Sequence, residues 1–424
     1  MTGIGLAAPT AHMVAVGIAA QHGILSNGGG EAFQTISSMN TVVLNKTGTL
    51  TISKFTVSDH KIIVDESSRS LVCSILGSAE QASMHPLAVG VREWCQVQLV
   101  KEEWASVDFV SSEEIPGRGL VAVLIVEGNK VEVAIGNEKM MHDMDARYKS
   151  ESASIQAKDD LLAWQQEGKS VILLSAKLLM ESTSSPVRLP IVTEHHSILG
   201  LFGVHDPPRP EASTLVAELH RLRMDVWMIS GDNTITAKTT GRSIGIHESH
   251  VIAEALPIDK QTWVKRLQNG EGRPEVSPLQ SWWSSPSSGR TIVTFCGDGI
   301  NDAPAIAQAD VGLAMGGGSN VAVSTADFCL LSSNLLSILT VHSLARATRR
   351  KIFSNFIWAC LYNVALMPLA AGAFYPLGRT TLPPVWGSAA MALSSLSVVM
   401  NSLVLRWIFS PPRAVRMWSH SAEV

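Results

Sequence analysis

Two apolar stretches near the C-terminal end, Phe353 to Tyr375 and Val385 to Phe409, constrain this chain more than any other feature. Neither contains Lys, Asp or Glu, and Arg enters only at Arg406. Crossing roughly 30 Å of hydrocarbon takes about 20 apolar residues, so each stretch is long enough for a helical span. Arg346, Arg349, Arg350 and Lys351 precede the first, Arg406, Arg413 and Arg416 close the second, and the loop between them holds only Arg379. Basic flanks stay on the cytoplasmic side. The pair is therefore expected to form a hairpin over 346–410 with an external turn from Pro376 to Pro384. Everything from about Asn27 to Lys351, and a tail over 411–424, then faces the cytosol. A buried hairpin of a soluble core is the alternative reading.

A third apolar stretch, Gly3 to about Ile24, contains Pro9, His12, Gln21 and His22 and has no basic segment before it, so it does not read as a secretory signal. It begins almost at the initiator methionine, like the latter half of a span. The chain is accordingly expected to be a fragment or truncated product, with a partial transmembrane helix over 1–26. Lys plus Arg number 33 against 37 for Asp plus Glu, a net charge of −4, and no nucleic-acid partner is expected. The five cysteines, Cys73, Cys95, Cys296, Cys329 and Cys360, form no C-x-x-C pair, so neither a disulfide framework nor a cysteine zinc site is readable.

Within the cytosolic part three short apolar runs each end in a Gly/Asp-rich turn. They are Thr41 to Leu44 before Asn45-Lys46-Thr47-Gly48-Thr49, Val226 to Ile229 before Ser230-Gly231-Asp232-Asn233, and Thr291 to Phe295 before Gly297-Asp298-Gly299. Such runs are expected to be parallel core strands. A helix announced by Pro210, with Leu215, Leu219 and Leu222 on one face, supplies a β-α-β pattern. In open α/β sheets the polar loops gather at the carboxyl ends of the strands, which outlines a phosphate-and-metal site. Between the first run and the others, Phe55 to roughly Ile198 has a different texture and a hairpin signal: Leu120 to Val126, a turn around Glu127-Gly128-Asn129, then Val131 to Ile135. This is expected to be an inserted domain. A second insertion, Asn269 to Arg290, is dense in Ser, Pro and Gly with Trp282 and Trp283, and reads as a mobile loop.

The stretch Thr41-Val42-Val43-Leu44-Asn45-Lys46-Thr47-Gly48-Thr49-Leu50-Thr51 resembles the phosphorylation loop of P-type ATPases, in which an Asp before Lys-Thr-Gly-Thr attacks the γ-phosphate of ATP. Further motifs recur in that family's order: Asp206-Pro207-Pro208-Arg209-Pro210-Glu211-Ala212, Ser230-Gly231-Asp232-Asn233, Pro257-Ile258-Asp259-Lys260 and Gly297-Asp298-Gly299-Ile300-Asn301-Asp302. The resemblance implies an α/β, Rossmann-like phosphorylation domain of haloacid dehalogenase type over 27–54 and 199–345. It also implies an inserted α+β nucleotide-binding domain over 55–198. Carried over residue by residue, Asn45 stands at the phosphorylated position and Lys46 offsets phosphoryl charge. Thr47, Ser230 and Lys260 hold the phosphoryl group, Gly231 and Asp232 lie beside the nucleotide, and Asp298 and Asp302 offer hard oxygens to Mg²⁺.

Ser83-Met84-His85-Pro86-Leu87-Ala88, Gly117-Arg118-Gly119 and Gly136-Asn137 are similar to the nucleotide signature of the family's heavy-metal branch. The resemblance gives His85, Gly117, Gly119 and Asn137 to ATP, although Met84 stands where Glu is usual. Tyr362-Asn363 and Met391-Ala392-Leu393-Ser394-Ser395 resemble that branch's intramembrane copper(I) signature, so Tyr362, Asn363, Met391 and Ser395 become candidate Cu⁺ ligands. A thioether is a soft ligand suited to Cu(I), whereas Met and Ser at this spacing also serve plain helix packing. The function so implied is ATP-driven export of Cu⁺ from the cytosol, with membrane lipid and copper(I) as partners and a copper chaperone or the remaining half of a pump as further ones. An endomembrane of Golgi type and the plasma membrane are both open as its location.

Three departures limit that activity. Position 45 is Asn, no Cys-Pro-Cys precedes the Ile4 to Ala11 segment that follows it in the family, and the actuator domain's Thr-Gly-Glu is missing. A non-catalytic, membrane-tethered ATP-binding protein that regulates a full pump is the rival reading, and a soluble phosphatase sharing the phosphorylation-domain fold is a third. A carboxamide is neutral and a very poor nucleophile. The chain is therefore expected to form no aspartyl phosphate; acid-stable label at position 45 after incubation with radiolabelled ATP would contradict this.

Overall fold

The structure, a computed structural model, describes residues 2–64, 68–83, 86–99, 106–180, 195–271, 291–316, 319–332, 334–371 and 384–422. Its strands are, in chain order, β1 (Ile24–Ser26), β2 (Thr41–Asn45), β3 (Thr56–Ile62), β4 (Val107–Ile115), β5 (Gly119–Val126), β6 (Asn129–Gly136) and β7 (Ser170–Met180). There follow β8 (Ser197–His205), β9 (Asp225–Ile229), β10 (Val251–Ile252), β11 (Val293–Gly297), β12 (Val311–Met315) and β13 (Phe328–Leu330). The chain forms two compact units, one of residues 1–45, 210–227 and 257–424, the other of residues 46–209 and 228–256.

In the first unit β11 pairs in parallel with β2 on one side and with β12 on the other, β12 pairs in parallel with β13, and β1 closes that edge antiparallel to β13. Beyond β2 the sheet continues into β9. Every residue of β2, β11 and β12 is buried, as befits uninterrupted apolar runs covered on both faces. The expected runs at 41–44, 226–229 and 291–295 thus fall on β2, β9 and β11. The helix announced by Pro210 spans Ala212–Arg221 and buries Ala212, Leu215, Val216 and Leu219, with Leu222 just past its end.

Three long helices belong to the same unit: Thr2–Gln21, Ser337–Ala370 and Pro384–Ile408. Ala7, Ala11, Ala15 and Ala19, one turn apart, are all fully buried on the first. Ala7 packs there against Ala359 and Val398 of the other two. Asn355 sits at the crossing: its Nδ2 donates to the Ala7 carbonyl at 3.1 Å and to Ser402 Oγ at 2.8 Å. Its Oδ1 accepts from Asn401 at 2.7 Å. Among the described residues one stretch, Ala389–Ile408, is long and apolar enough to cross a membrane. The end of the other expected span, Gly372 to Tyr375, and the expected external turn up to Leu382 and Pro383 lie outside the described residues, as does the expected mobile insertion from Gly272 to Arg290.

The second unit holds a six-stranded antiparallel sheet in the order β3-β8-β7-β6-β5-β4. β5 and β6 form the expected hairpin, with Val126 opposite Asn129 and both turn residues, Glu127 (φ 49°) and Gly128 (φ 84°), left-handed. Two residues at positive φ make the turn that matches strand twist. One face of the sheet buries Ala122, Leu124, Val131, Val133 and Leu174 against the helices Arg69–Ala79 and Pro86–Leu99. The other face buries Ala134, Leu173 and Leu201 with Met140, Met141, Ala157 and Leu161 of the helices Glu138–Asp143 and Glu151–Gln166. The expected boundary between 198 and 199 falls inside β8, which pairs with β3 and β7 along most of its length.

Gly119 and Gly136 face each other at the open end of this hairpin. A Cβ on Gly119 would stand 2.0 Å from the Ile135 carbonyl oxygen, and one on Gly117 would meet only Leu256 Cδ2, a flexible side-chain end, at 2.5 Å. Gly119→Ala is therefore expected to destabilise the second unit by roughly 1–3 kcal/mol and Gly117→Ala by less. Urea unfolding followed by tryptophan fluorescence checks the ranking.

Candidate functional site

β2 ends on Asn45, the position of the expected nucleophile, and the residues brought to it in the first unit are Lys260 and Asp302. Lys260 comes from the helix Pro257–Gln268 and Asp302 from the turn after β11. Asn45 Nδ2 donates to Asp302 Oδ2 at 2.6 Å. Lys260 Nζ donates to Asn45 Oδ1 at 3.1 Å and to Asp302 Oδ1 at 2.7 Å. All three are buried, Asp302 to 1% exposure. Gly297 leaves the room this needs, for a Cβ there would lie 2.7 Å from Asp302 Oδ2. Both carboxylate oxygens of Asp302 are thus taken by protein donors. Asp298 is half-buried and its carbonyl accepts from the Ser319 N–H at 2.9 Å. Among the described residues no group of three or more His, Cys, Asp or Glu could hold a metal ion.

Lys46 opens the second unit and is 2% exposed. A buried ammonium needs a counter-charge, and Asp232 supplies it in a direct ion pair. Ser230 Oγ donates to Asp232 Oδ2 at 3.1 Å and accepts from the Asp232 N–H at 3.1 Å. Ser170 Oγ donates to Oδ1 at 3.2 Å. Burial opposes ionisation of Asp232, but the charge of Lys46 and the bonds from Lys46, Ser230 and Ser170 outweigh it and hold the carboxyl below its ordinary range. Thr47 is half-buried and Gly231 exposed. The loop itself turns at Gly48, whose φ is 76°. Arg209 clamps it, donating from Nε to the Thr49 carbonyl at 2.8 Å and from Nη2 to the Gly48 carbonyl at 3.1 Å. Ser170 went unnoticed in the sequence because it opens a strand far from every motif.

The glycine loop and Asn137 do come together. Asn137 caps the helix Glu138–Asp143 by accepting from the Met140 N–H, and its Nδ2 donates to the Gly117 carbonyl at 2.9 Å. Gly117 and Asn137 are exposed. His85 lies outside the described residues. Just before it, Glu80 is 6% exposed. Burial pushes its carboxyl up to about 7; Arg92 opposes the shift and Glu114 adds to it. Arg92 Nη1 donates to the Glu80 carbonyl at 3.0 Å, and Ser83 Oγ donates to Glu114 Oε1 at 2.7 Å. The signal for Glu80 was available: one acid directly after the run Leu76-Gly77-Ser78-Ala79.

The candidate copper ligands are spread along the two last helices. Tyr362 OH donates to the Ala390 carbonyl at 2.7 Å, Asn363 Nδ2 to the Ala359 carbonyl at 2.8 Å, and Ser395 Oγ to the Met391 carbonyl at 3.3 Å. Met391 is 54% exposed.

Residues 39–310 match the family of haloacid dehalogenase-like hydrolases. The chain is 34% identical over 419 residues to Copper-transporting ATPase RAN1 of Arabidopsis thaliana, a match covering 95% of this chain and 37% of that one. To the probable copper-importing P-type ATPase A of Enterococcus hirae it is 33% identical over 407 residues, covering 95% and 46%. To Copper-transporting ATPase 2 of Mus musculus it is 34% identical over 423 residues, covering 96% and 26%. The chain thus spans less than half the length of these curated relatives. Among solved structures, a zinc-transporting PIB-type ATPase in its E2.Pi state is similar with a TM-score of 0.59 at 25% identity, over 95% of this chain and 55% of that one. The catalytic CPx-ATPase domain CopB-B shares the fold, with a TM-score of 0.50 at 20% identity over 78% and 98%.

Glu80 supplies a pH signature. Its carboxyl binds the proton more tightly folded, at about 7, than its ordinary value of 4.5. The stability that goes with protonation is therefore complete below that ordinary value and is lost as pH rises through the folded one. Glu80→Gln is expected to match wild type near about pH 4 and to melt higher near about pH 8. Thermal melts of both proteins across this window decide; a difference that does not change with pH contradicts the assignment.

Proposed function

The chain belongs to the haloacid dehalogenase-like hydrolases and is related to copper-transporting P-type ATPases, and from that premise we propose that it is a nucleotide-binding portion of a copper(I)-translocating pump, silent in phosphoryl transfer. One observation carries the reading: the residue at the end of β2 is an amide hydrogen-bonded between Lys260 and Asp302. A carboxylate there could attack the γ-phosphate; the amide nitrogen, its lone pair delocalised into the carbonyl, cannot. ATP is the proposed ligand, with His85, Gly117, Gly119 and Asn137 taking the base and sugar. Lys46, Thr47, Ser230 and Lys260 are assigned to the phosphoryl group, and Gly231 and Asp232 to the flank of the nucleotide.

The retained Lys46–Asp232 pair supports this assignment, since an ammonium already desolvated and held by a carboxylate can exchange that partner for a phosphate oxygen. The resemblance puts Mg²⁺ at Asp298 and Asp302. With each oxygen of Asp302 accepting from a protein donor, that carboxylate does not offer the ion a free edge, and the proposed chemistry does not run through it.

The membrane part of the reading is a helical hairpin of which Ala389–Ile408 is one arm, in lipid, with the chain from about Asn27 to Lys351 on its cytosolic side. Copper(I) is the proposed cargo on the strength of the relatives' names and of the soft thioether of Met391. In the structure Tyr362, Asn363 and Ser395 each donate a hydrogen bond to a backbone carbonyl. A copper chaperone or the rest of a pump are the implied partners. Asn45 equally favours a second reading, a tethered ATP-binding regulator of a complete pump.

The full chain in lipid discs is expected to bind ATP in a calorimetric titration. Asn45→Asp is expected to acquire, from labelled ATP, an acyl phosphate that hydroxylamine cleaves. Absence of ATP binding in both forms would sink the proposal.

A further inference from the structure

The charge count of the cluster at the end of β2 leads past nucleotide binding. Asn45, Lys260 and Asp302 are 6%, 7% and 1% exposed. Together they carry one positive and one negative charge, and their three hydrogen bonds close a ring at 2.6, 2.7 and 3.1 Å. The ring pins the amide. Turned end for end, Asn45 would set its N–H donors against the Lys260 ammonium and its oxygen against the Asp302 carboxylate, donor facing donor and acceptor facing acceptor.

An aspartate at the same place would bring a second carboxylate against Asp302 with one ammonium for the two. A buried site with one negative charge in excess must take up a proton or a cation. The amide removes the excess and puts an N–H on the oxygen that a metal would otherwise need. Gly297 lies beside that oxygen and leaves it the room for this bond, since a Cβ there would stand 2.7 Å from it.

Building on the functional reading above, we infer that in this chain the Asn45 amide N–H fills the place of a divalent cation at Asp302, so that the core of the first unit is complete without Mg²⁺. The metal then enters only as the counter-ion of a nucleotide.

The test uses the full chain in lipid discs, without nucleotide, and the metal alone. Wild type is expected to melt at the same temperature in EDTA and in millimolar Mg²⁺, and to bind no Mn²⁺ at this site in a paramagnetic-resonance titration. Asn45→Asp is expected to melt lower than wild type in EDTA and to rise by several degrees in Mg²⁺, since a cation at ~100-fold over its Kd adds its binding free energy to stability. Stabilisation of wild type by Mg²⁺ to the extent seen in Asn45→Asp, abolished by Asp302→Asn, would overturn the inference. The Mn²⁺ titration of wild type decides it even where Asn45→Asp does not fold. Failure of every form to bind ATP would strike the functional reading and leave these metal-alone results to judge the inference.

Discussion

Burial of two consecutive polar side chains, Asn45 and Lys46, is the constraint around which the catalytic sequence motifs arrange themselves. Both are almost completely removed from solvent at the end of a strand with no exposed residue. An unpaired ammonium in such a place is untenable, and an amide left without partners costs about 1–3 kcal/mol. Each therefore requires a dedicated partner held by its own unit: Asp302 and Lys260 for Asn45, Asp232 for Lys46. The partners in turn need support. Gly297 leaves space for Asp302, and Ser230 and Ser170 add hydrogen bonds to Oδ2 and Oδ1 of Asp232. What reads in the sequence as separated motifs is, in each unit, the set of groups needed to bury one of two neighbouring residues.

That dependence explains what was legible beforehand. β2, β9 and β11 announced themselves because a buried parallel strand is a continuous apolar run, and each ends at a polar turn. The β5–β6 hairpin announced itself through two apolar runs, Leu120 to Val126 and Val131 to Ile135, on either side of the Glu127-Gly128-Asn129 turn, where Glu127 and Gly128 take positive φ. β1, β10 and β13 were invisible, being two or three residues long and lacking any period; only their neighbours make them strands. β8 was misleading for the opposite reason. Its run from Ile198 to Val204 looks like the parallel strands of the first unit, yet it is buried on both faces of an antiparallel sheet by helices on either side. Lys260 was reachable only by resemblance, since nothing in Pro257-Ile258-Asp259-Lys260 tells which way a lysine in a helix's first turn will point.

The long helices teach a related lesson. Resemblance drew attention to Tyr362, Asn363, Met391 and Ser395, of which Tyr362 bonds across to the Ala390 carbonyl, whereas the side chains that tie in the first helix as well are Asn355, Ser402 and Thr10, with Asn401 bonded to Asn355. In the lipid setting proposed for these helices, burying apolar surface against one another gains nothing, so close approach and interhelical hydrogen bonds do the work. The alanine stripe from Ala7 to Ala19 permits the approach, and Asn355 reaches the Ala7 carbonyl because no longer side chain stands in the way. Each such bond contributes only roughly 0.6 kcal/mol, so a cluster is needed where a single pair would not hold. A lone Asn in an apolar run carries no sequence signal for this, because the partner that gives it meaning lies on another helix.

The nature of the residue at position 45 follows from the same accounting of partners. Replacing a carboxylate nucleophile by a small apolar residue would strip Lys260 of one acceptor and uncover Oδ2 of Asp302. Both losses fall inside a core where unsatisfied groups cost most. Glutamine would keep the amide but carry it one methylene too far for the 2.6 Å and 3.1 Å contacts. Asparagine alone keeps shape, one acceptor for the lysine and a donor for the aspartate, and it also lowers the electrostatic demand of the site by one buried negative charge. Phosphoryl transfer can therefore be removed at this position while the sheet, its loops and their ligands stay in place. A chain that holds a nucleotide without consuming it needs that combination and no other change at the end of β2.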